Sequence, residues 1–188
     1  MNSNTVKSVF TALFAALICA GALITIPVGP VPIVLQNAFA IMAGLLLGPL
    51  QGAGAVGIFL ILGALGLPVF SGGRGGIAVL TGPTAGYLAG YFIGALVAGF
   101  AMNRLAGDKD IPIAKALPMI ISATIMGFLA VYIPGVIVLR KALHLGLAEA
   151  LAKGFTPFIL GDLIKTAVVV PVVLKVRPIV LRYLNPDA

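Results

Sequence analysis

Asp162 and Lys165 stand three residues apart inside 156–175, a stretch otherwise almost wholly apolar and long enough to cross a bilayer. At that spacing both side chains leave one face of a helix. A charge near the centre of a membrane helix costs roughly 2.5–3.5 kcal/mol on insertion scales, so ionisable residues there pair, line a polar cavity or mark a substrate path. The pair has two readings. It is an internal ion pair that fixes helix packing, or it is a site whose acid and base receive a ligand carrying donors at one end and an anion at the other. Apolar replacements of buried pairs are often neutral or stabilising, which favours the site.

Other polar groups lie close enough in sequence to join it. Gln36 and Asn37 are neutral donors and acceptors at membrane depth, of which one bonds a neighbouring helix and the other faces a ligand. Tyr87 and Tyr91, four apart, read either as an interfacial belt or, for Tyr87 above all, as part of a pocket below the glycine-rich stretch 71–76. The segment 67–76 that contains it holds Phe70, Gly73 and Arg74 together: an aromatic, a backbone that approaches a ligand closely, and a cation suited to anion capture or to a lipid headgroup. Ala12, Ala16 and Ala20 form a small-residue stripe at spacing four, which serves internal packing or close approach of a partner helix.

Several chemistries are excluded. A phosphate-binding Walker loop needs Gly directly before Lys and Ser or Thr, and the only Lys-Thr, Lys165-Thr166, follows Ile164. Cys19 is the single cysteine and His144 the single histidine, so neither an intrachain disulfide nor a metal site is expected. His144, near Glu149, reads as a surface residue. No Ser, His and Asp constellation falls at membrane depth, so catalysis and a cofactor are not expected.

The elements that must position these groups follow from composition. Of 188 residues, 61% are hydrophobic and 9% charged, against roughly 25% charged in a soluble domain. The apolar runs are continuous, which argues for helices over a barrel. Six candidate helices cover 9–26, 35–47, 52–67, 83–102, 117–139 and 156–175, the second being short for a full crossing. The chain 1–188 reads as one all-α transmembrane domain. Its +7 charge is scattered at the ends of apolar runs and builds no nucleic-acid patch.

With the N-terminus inside, Lys7, Arg104, Lys109, Lys115, Lys175, Arg177 and Arg182 lie on the inner side, against Arg74, Arg140, Lys141 and Lys153 outside. Seven against four places both termini in the cytoplasm. The outer connections are then 27–34, 68–82 and 140–155, and the first two, rich in Gly and Pro, are suited to a lid above Asp162 and Lys165.

Five motifs in chain order resemble one family: Pro30-Val31-Pro32-Ile33-Val34-Leu35-Gln36, Ala43-Gly44-Leu45-Leu46-Leu47-Gly48-Pro49, Gly66-Leu67-Pro68-Val69-Phe70-Ser71-Gly72-Gly73, Thr81-Gly82-Pro83-Thr84-Ala85-Gly86-Tyr87-Leu88 and Pro157-Phe158-Ile159-Leu160-Gly161-Asp162-Leu163-Ile164-Lys165. Together they are similar to BioY, the biotin-binding S component of energy-coupling factor (ECF) transporters. The family commonly writes Gly-Gly-Tyr where this chain has Ala85-Gly86-Tyr87.

The resemblance implies a six-helix S-component fold in the cell membrane that captures biotin from outside. It also implies docking on a transmembrane coupling protein and two ATPases, with Ala12, Ala16 and Ala20 facing the coupling protein. Biotin offers two ureido N–H donors, a carbonyl, an apolar thioether ring and a carboxylate. Asp162 suits a ureido N–H, Lys165 or Arg74 an acceptor or the carboxylate, Gln36 the ring carbonyl, and Phe70 and Tyr87 the rings. The alternatives are another small vitamin, or a proton-coupled solute with Asp162 as the protonation site.

Overall fold

The structure, a computed structural model, describes residues 3–105 and 112–184. Lys109, counted above toward orientation, lies outside the described residues, as do the last residues of the 1–188 span. The order is α1 (Ser3–Ala20), a 3-10 turn (Gly21–Leu23), β1 (Thr25–Ile26), β2 (Ile33–Val34), α2 (Gln36–Leu47), α3 (Pro49–Ala64), α4 (Ile77–Leu80), α5 (Ala85–Leu105), α6 (Ile113–Ala142), α7 (Leu147–Gly154) and α8 (Phe158–Leu184).

Six of these helices, α1, α2, α3, α5, α6 and α8, correspond in order to the six expected apolar runs. Windows within α1, α5 and α6 are long and apolar enough to cross a membrane, and α7 with α8, bent by 40° at their break, make a fourth candidate. Helices α2 and α3 have 12 and 16 residues. At about 1.5 Å per residue they reach roughly 18 and 24 Å, short of the roughly 30 Å hydrocarbon layer.

The short α2 is the centre of the bundle, touching α1, α3, α5, α6 and α8. Ten of its twelve residues are buried, as its unbroken apolar sequence requires, since a helix apolar on all sides needs neighbours on all sides. It ends at Gly48, whose φ of 85° lets its N–H reach the Gly44 carbonyl at 3.0 Å before Pro49 starts α3. On α5, Gly86, Gly90 and Gly94 repeat every four residues, and a Cβ at any of them would strike the backbone of α6. This glycine stripe lets α5 and α6 pack backbone to backbone.

Several boundaries differ from the sequence expectation. The first helix starts at Ser3 rather than 9 and stops at Ala20, because Thr25 and Ile26 pair antiparallel with Val34 and Ile33 instead of continuing the helix. That two-stranded ribbon is an addition to an otherwise helical fold. The third helix begins at Pro49 rather than 52 and ends at Ala64 rather than 67. Connections 68–82 and 140–155 contain the short helices α4 and α7. The last helix runs past 175 to Leu184, through Pro171 and Pro178, because Val180 and Leu184 are still buried in the core.

Candidate functional site

Asp162 and Lys165 face inward from α8, each only 8% exposed, and two further helices meet them there. Lys165 Nζ donates to Asp162 Oδ1 at 3.0 Å and to Asn37 Oδ1, on α2, at 2.9 Å. Asn37 Nδ2 donates to the same Asp162 oxygen at 3.2 Å. Tyr132, on α6, donates its hydroxyl to Asp162 Oδ2. The carboxylate therefore accepts three bonds and the ammonium gives two. With about four acceptor positions on a carboxylate and three donors on an ammonium, each retains one position beyond these bonds. Satisfied in this way, the two charges can be buried as a neutral unit.

An aromatic layer adjoins this cluster. The Tyr132 ring lies edge-on to Phe155 with centroids 4.9 Å apart, and 6.3 Å from Tyr87. Phe158 lies 6.4 Å from Tyr87 and 6.2 Å from Tyr132. Tyr87 is held by its hydroxyl, which donates to the Gly154 carbonyl at 2.7 Å where α7 ends. That bond ties α5 to the break between α7 and α8.

A cavity of about 20 Å³ lies beside these rings, lined by Gln36, Phe70, Tyr87 and Tyr91 among others. Both expected lid connections contribute to its wall, Val31 and Pro32 from the first, Ser71 and Val79 from the second. Phe70 is 1% exposed and sits edge-on to Phe59 at 5.3 Å. Gly63 makes room for it, since a Cβ there would collide with the Phe70 ring. Gln36 is completely buried, and its Nε2 donates to the Val69 carbonyl at 2.8 Å. Its Oε1 is buried without a hydrogen-bond partner, a costly state in a low-dielectric interior.

Gln36, Phe70 and Tyr87 are thus brought together at one cavity, and Asp162 with Lys165 in the adjoining polar cluster. Gly73 and Arg74 are not. Both are exposed in the turn above, where Gly73, with φ of 69°, and Arg74 turn their backbone N–H groups onto the Phe70 carbonyl. The Arg74 guanidinium is folded back on Ser71, with Nε 3.1 Å from the carbonyl and Nη2 3.4 Å from Oγ. Ala12, Ala16 and Ala20 are exposed along the outside of α1. His144 is exposed too.

Asn37 bonds the charge cluster on α8, while Gln36 bonds the Val69 carbonyl and lines the cavity. Tyr91 is 7% exposed and lines the cavity, which removes the belt reading. Tyr132 is the residue missed by sequence reasoning. Its signal was a tyrosine, the single aromatic hydroxyl in the run 117–139.

The model of the BioY family matches residues 1–182 of this chain. The chain belongs to the BioY family. Among relatives, "Biotin transporter BioY" of Rhizobium etli is 44% identical over 168 residues, covering 88% of this chain and 89% of that protein. The protein of the same name from Thermotoga maritima is 39% identical over 165 residues, covering 88% and 92%. A crystal structure described as the S-component for biotin from an ECF-type ABC transporter superposes with a TM-score of 0.84 at 34% identity over 94% of each chain. This BioY-family chain is therefore a multi-pass membrane protein with the fold of that component, and Asp162, Lys165, Gln36, Phe70 and Tyr87 all fall within the matched span.

Proposed function

We propose that this chain captures biotin as the S component of an ECF-type transporter. The observation that carries the reading is the unpartnered Gln36 Oε1, a buried acceptor on a cavity whose neighbouring charge cluster keeps one acceptor and one donor in hand. The names of its relatives and the description of the matching crystal structure support the same ligand. Gln36 Nε2 spends one of its two N–H groups on the Val69 carbonyl, so the amide offers biotin its Oε1 acceptor and one remaining donor. The acceptor complements a ureido N–H, and the remaining donor suits the ring carbonyl expected from the sequence.

Asp162 then accepts a second ureido N–H, and Lys165 donates to the ureido carbonyl or the carboxylate. Phe70 and Tyr87 pack on the rings, and Arg74 swings from Ser71 to the carboxylate, with Gly73 giving the turn its freedom. A cavity of about 20 Å³ has room for about one water. Connections 27–34 and 68–82 must therefore part to admit biotin and close over it.

One domain spans the chain and does no catalysis. Both termini lie in the cytoplasm, and the protein sits in the plasma membrane. The exposed stripe Ala12, Ala16 and Ala20 receives the transmembrane coupling protein, which brings two ATPases.

Isothermal titration of biotin into the purified chain tests the reading. Binding that weakens in Asp162→Asn, Lys165→Ala and Gln36→Met is expected. Absence of measurable binding to the folded wild type overturns it.

A further inference from the structure

We infer that a phosphate anion binds between Lys7 and Arg177, in a cavity at the opposite end of α2 from Gln36. This cavity, about 250 Å³, opens where α1, the α2–α3 junction, the last turn of α5 and α8 meet, and Gln51 and Asn103 line it beside the two cations. Among the described residues no Asp or Glu lines it, and the ion pairs, Lys153 with Glu149 and Lys165 with Asp162, include neither Lys7 nor Arg177.

Arg177 is half-buried and points Nε at the Leu45 carbonyl, 3.3 Å away at the end of α2. Its two terminal amino groups make no hydrogen bond among the described residues. A guanidinium anchored in this way presents a fixed fork, the geometry that grips two oxygens of one phosphate. The 16-residue α3 starts in the same wall, and the N–H groups of its first turn add donors and a positive helix end.

Leu50, 74% exposed, and Leu181 supply an apolar side to the cavity. Cations, amide donors and an apolar wall together match a phosphate that carries hydrocarbon. The depth agrees, because Lys7 stands near the start of the apolar window Asn4–Leu23 and Asn103 at the end of Ala85–Arg104, level with one membrane face. Basic pockets at that level take anionic lipid headgroups. Free phosphate has the same recognition chemistry. The site is roughly 18 Å from Gln36 along α2 and does not rest on the biotin reading.

The test is titration of the purified full chain in detergent with dihexanoyl phosphatidylglycerol, dihexanoyl phosphatidylcholine and inorganic phosphate. Wild type, Lys7→Gln, Arg177→Gln, Arg177→Lys and the exposed control Lys115→Gln are compared, with helical circular dichroism and melting midpoint checking that each is folded. Phosphatidylglycerol is expected to bind about tenfold or more tighter than phosphatidylcholine and to weaken with added salt. Lys7→Gln and Arg177→Gln each weaken it about tenfold, Arg177→Lys less, and Lys115→Gln not at all. Binding of inorganic phosphate alone, with the same sensitivity to these variants, supports the site and makes soluble phosphate its source. Equal binding of the two lipids without phosphate binding, or anion binding unmoved in Lys7→Gln and Arg177→Lys, overturns the inference.

Discussion

Tyr132 donates its hydroxyl to Asp162 across the packing of α6 on α8, and so completes a carboxylate that Asn37 and Lys165 hold from its other oxygen. The bond both orients the acid and compensates its burial. Interhelical hydrogen bonds in membranes average about 0.6 kcal/mol, with maxima near 1.7. Bonds to charged groups in proteins contribute about 1.5–3 kcal/mol. Tyr132→Phe is expected to cost about 1.5–2 kcal/mol in denaturant unfolding and to weaken biotin about tenfold in titration, with the ring packing kept.

The charge pair should show strong coupling. Removing one member of a buried pair costs about 3–5 kcal/mol because the other is left uncompensated. Asp162→Asn and Lys165→Met are each expected to destabilise, while the double variant, with no buried charge left, unfolds at a denaturant concentration above either single. Biotin binding weakens in all three. Unfolding midpoints and titration of the four proteins complete the cycle, and additive losses would contradict the coupling.

Gln36 separates ligand binding from fold stability. Gln36→Met keeps the volume and forfeits one bond to the Val69 carbonyl, a loss of about 1 kcal/mol. It also removes the acceptor that a ureido N–H would meet, so affinity should fall about tenfold or more. Biotin methylated on a ureido nitrogen is expected to lose affinity for the wild type and much less for Gln36→Met. Calorimetry with both ligands checks this.

Gly63 and Phe70 form a steric pair. In Gly63→Ala the new Cβ meets the Phe70 ring and must push it toward the cavity, an overpacking cost of about 1–3 kcal/mol. Stability and biotin affinity should both drop. Adding Phe70→Leu is expected to recover stability without recovering affinity, as read by melting midpoint and titration.

On the outer face of α1, Ala12→Leu with Ala16→Leu is expected to leave biotin binding and melting midpoint unchanged, since both positions are exposed. Uptake in cells that also carry the coupling protein and ATPases should fall at least about tenfold, because leucine holds a partner helix away from a small-residue stripe. Radiolabelled biotin uptake measures it, and full uptake would place the docking face elsewhere.

Features that depend on neighbours in the chain are readable from the residues. Continuous apolar runs decided helices and membrane residence, and the spacing of three decided that Asp162 and Lys165 share a face, because helical geometry alone sets that relation. The motifs carrying the BioY resemblance were legible for the same reason, being short and contiguous. Helix ends were less so: Val180 and Leu184 extend α8 only because the bundle offers them a core to pack on.

The tertiary structure alone decided which polar groups meet. Asn37 reaches Asp162 across 125 positions and Tyr132 across 30, contacts made by helices crossing at one depth, to which no local pattern points. It also separated residues that adjoin in sequence. Arg74, four positions from Phe70, is turned outward onto Ser71 by a backbone bridge between the two, while Phe70 is drawn under the loop by the space that Gly63 leaves. The orphaned Oε1 of Gln36 arises the same way, because the Val69 carbonyl, 33 positions on, holds the amide nitrogen while no described group meets the oxygen.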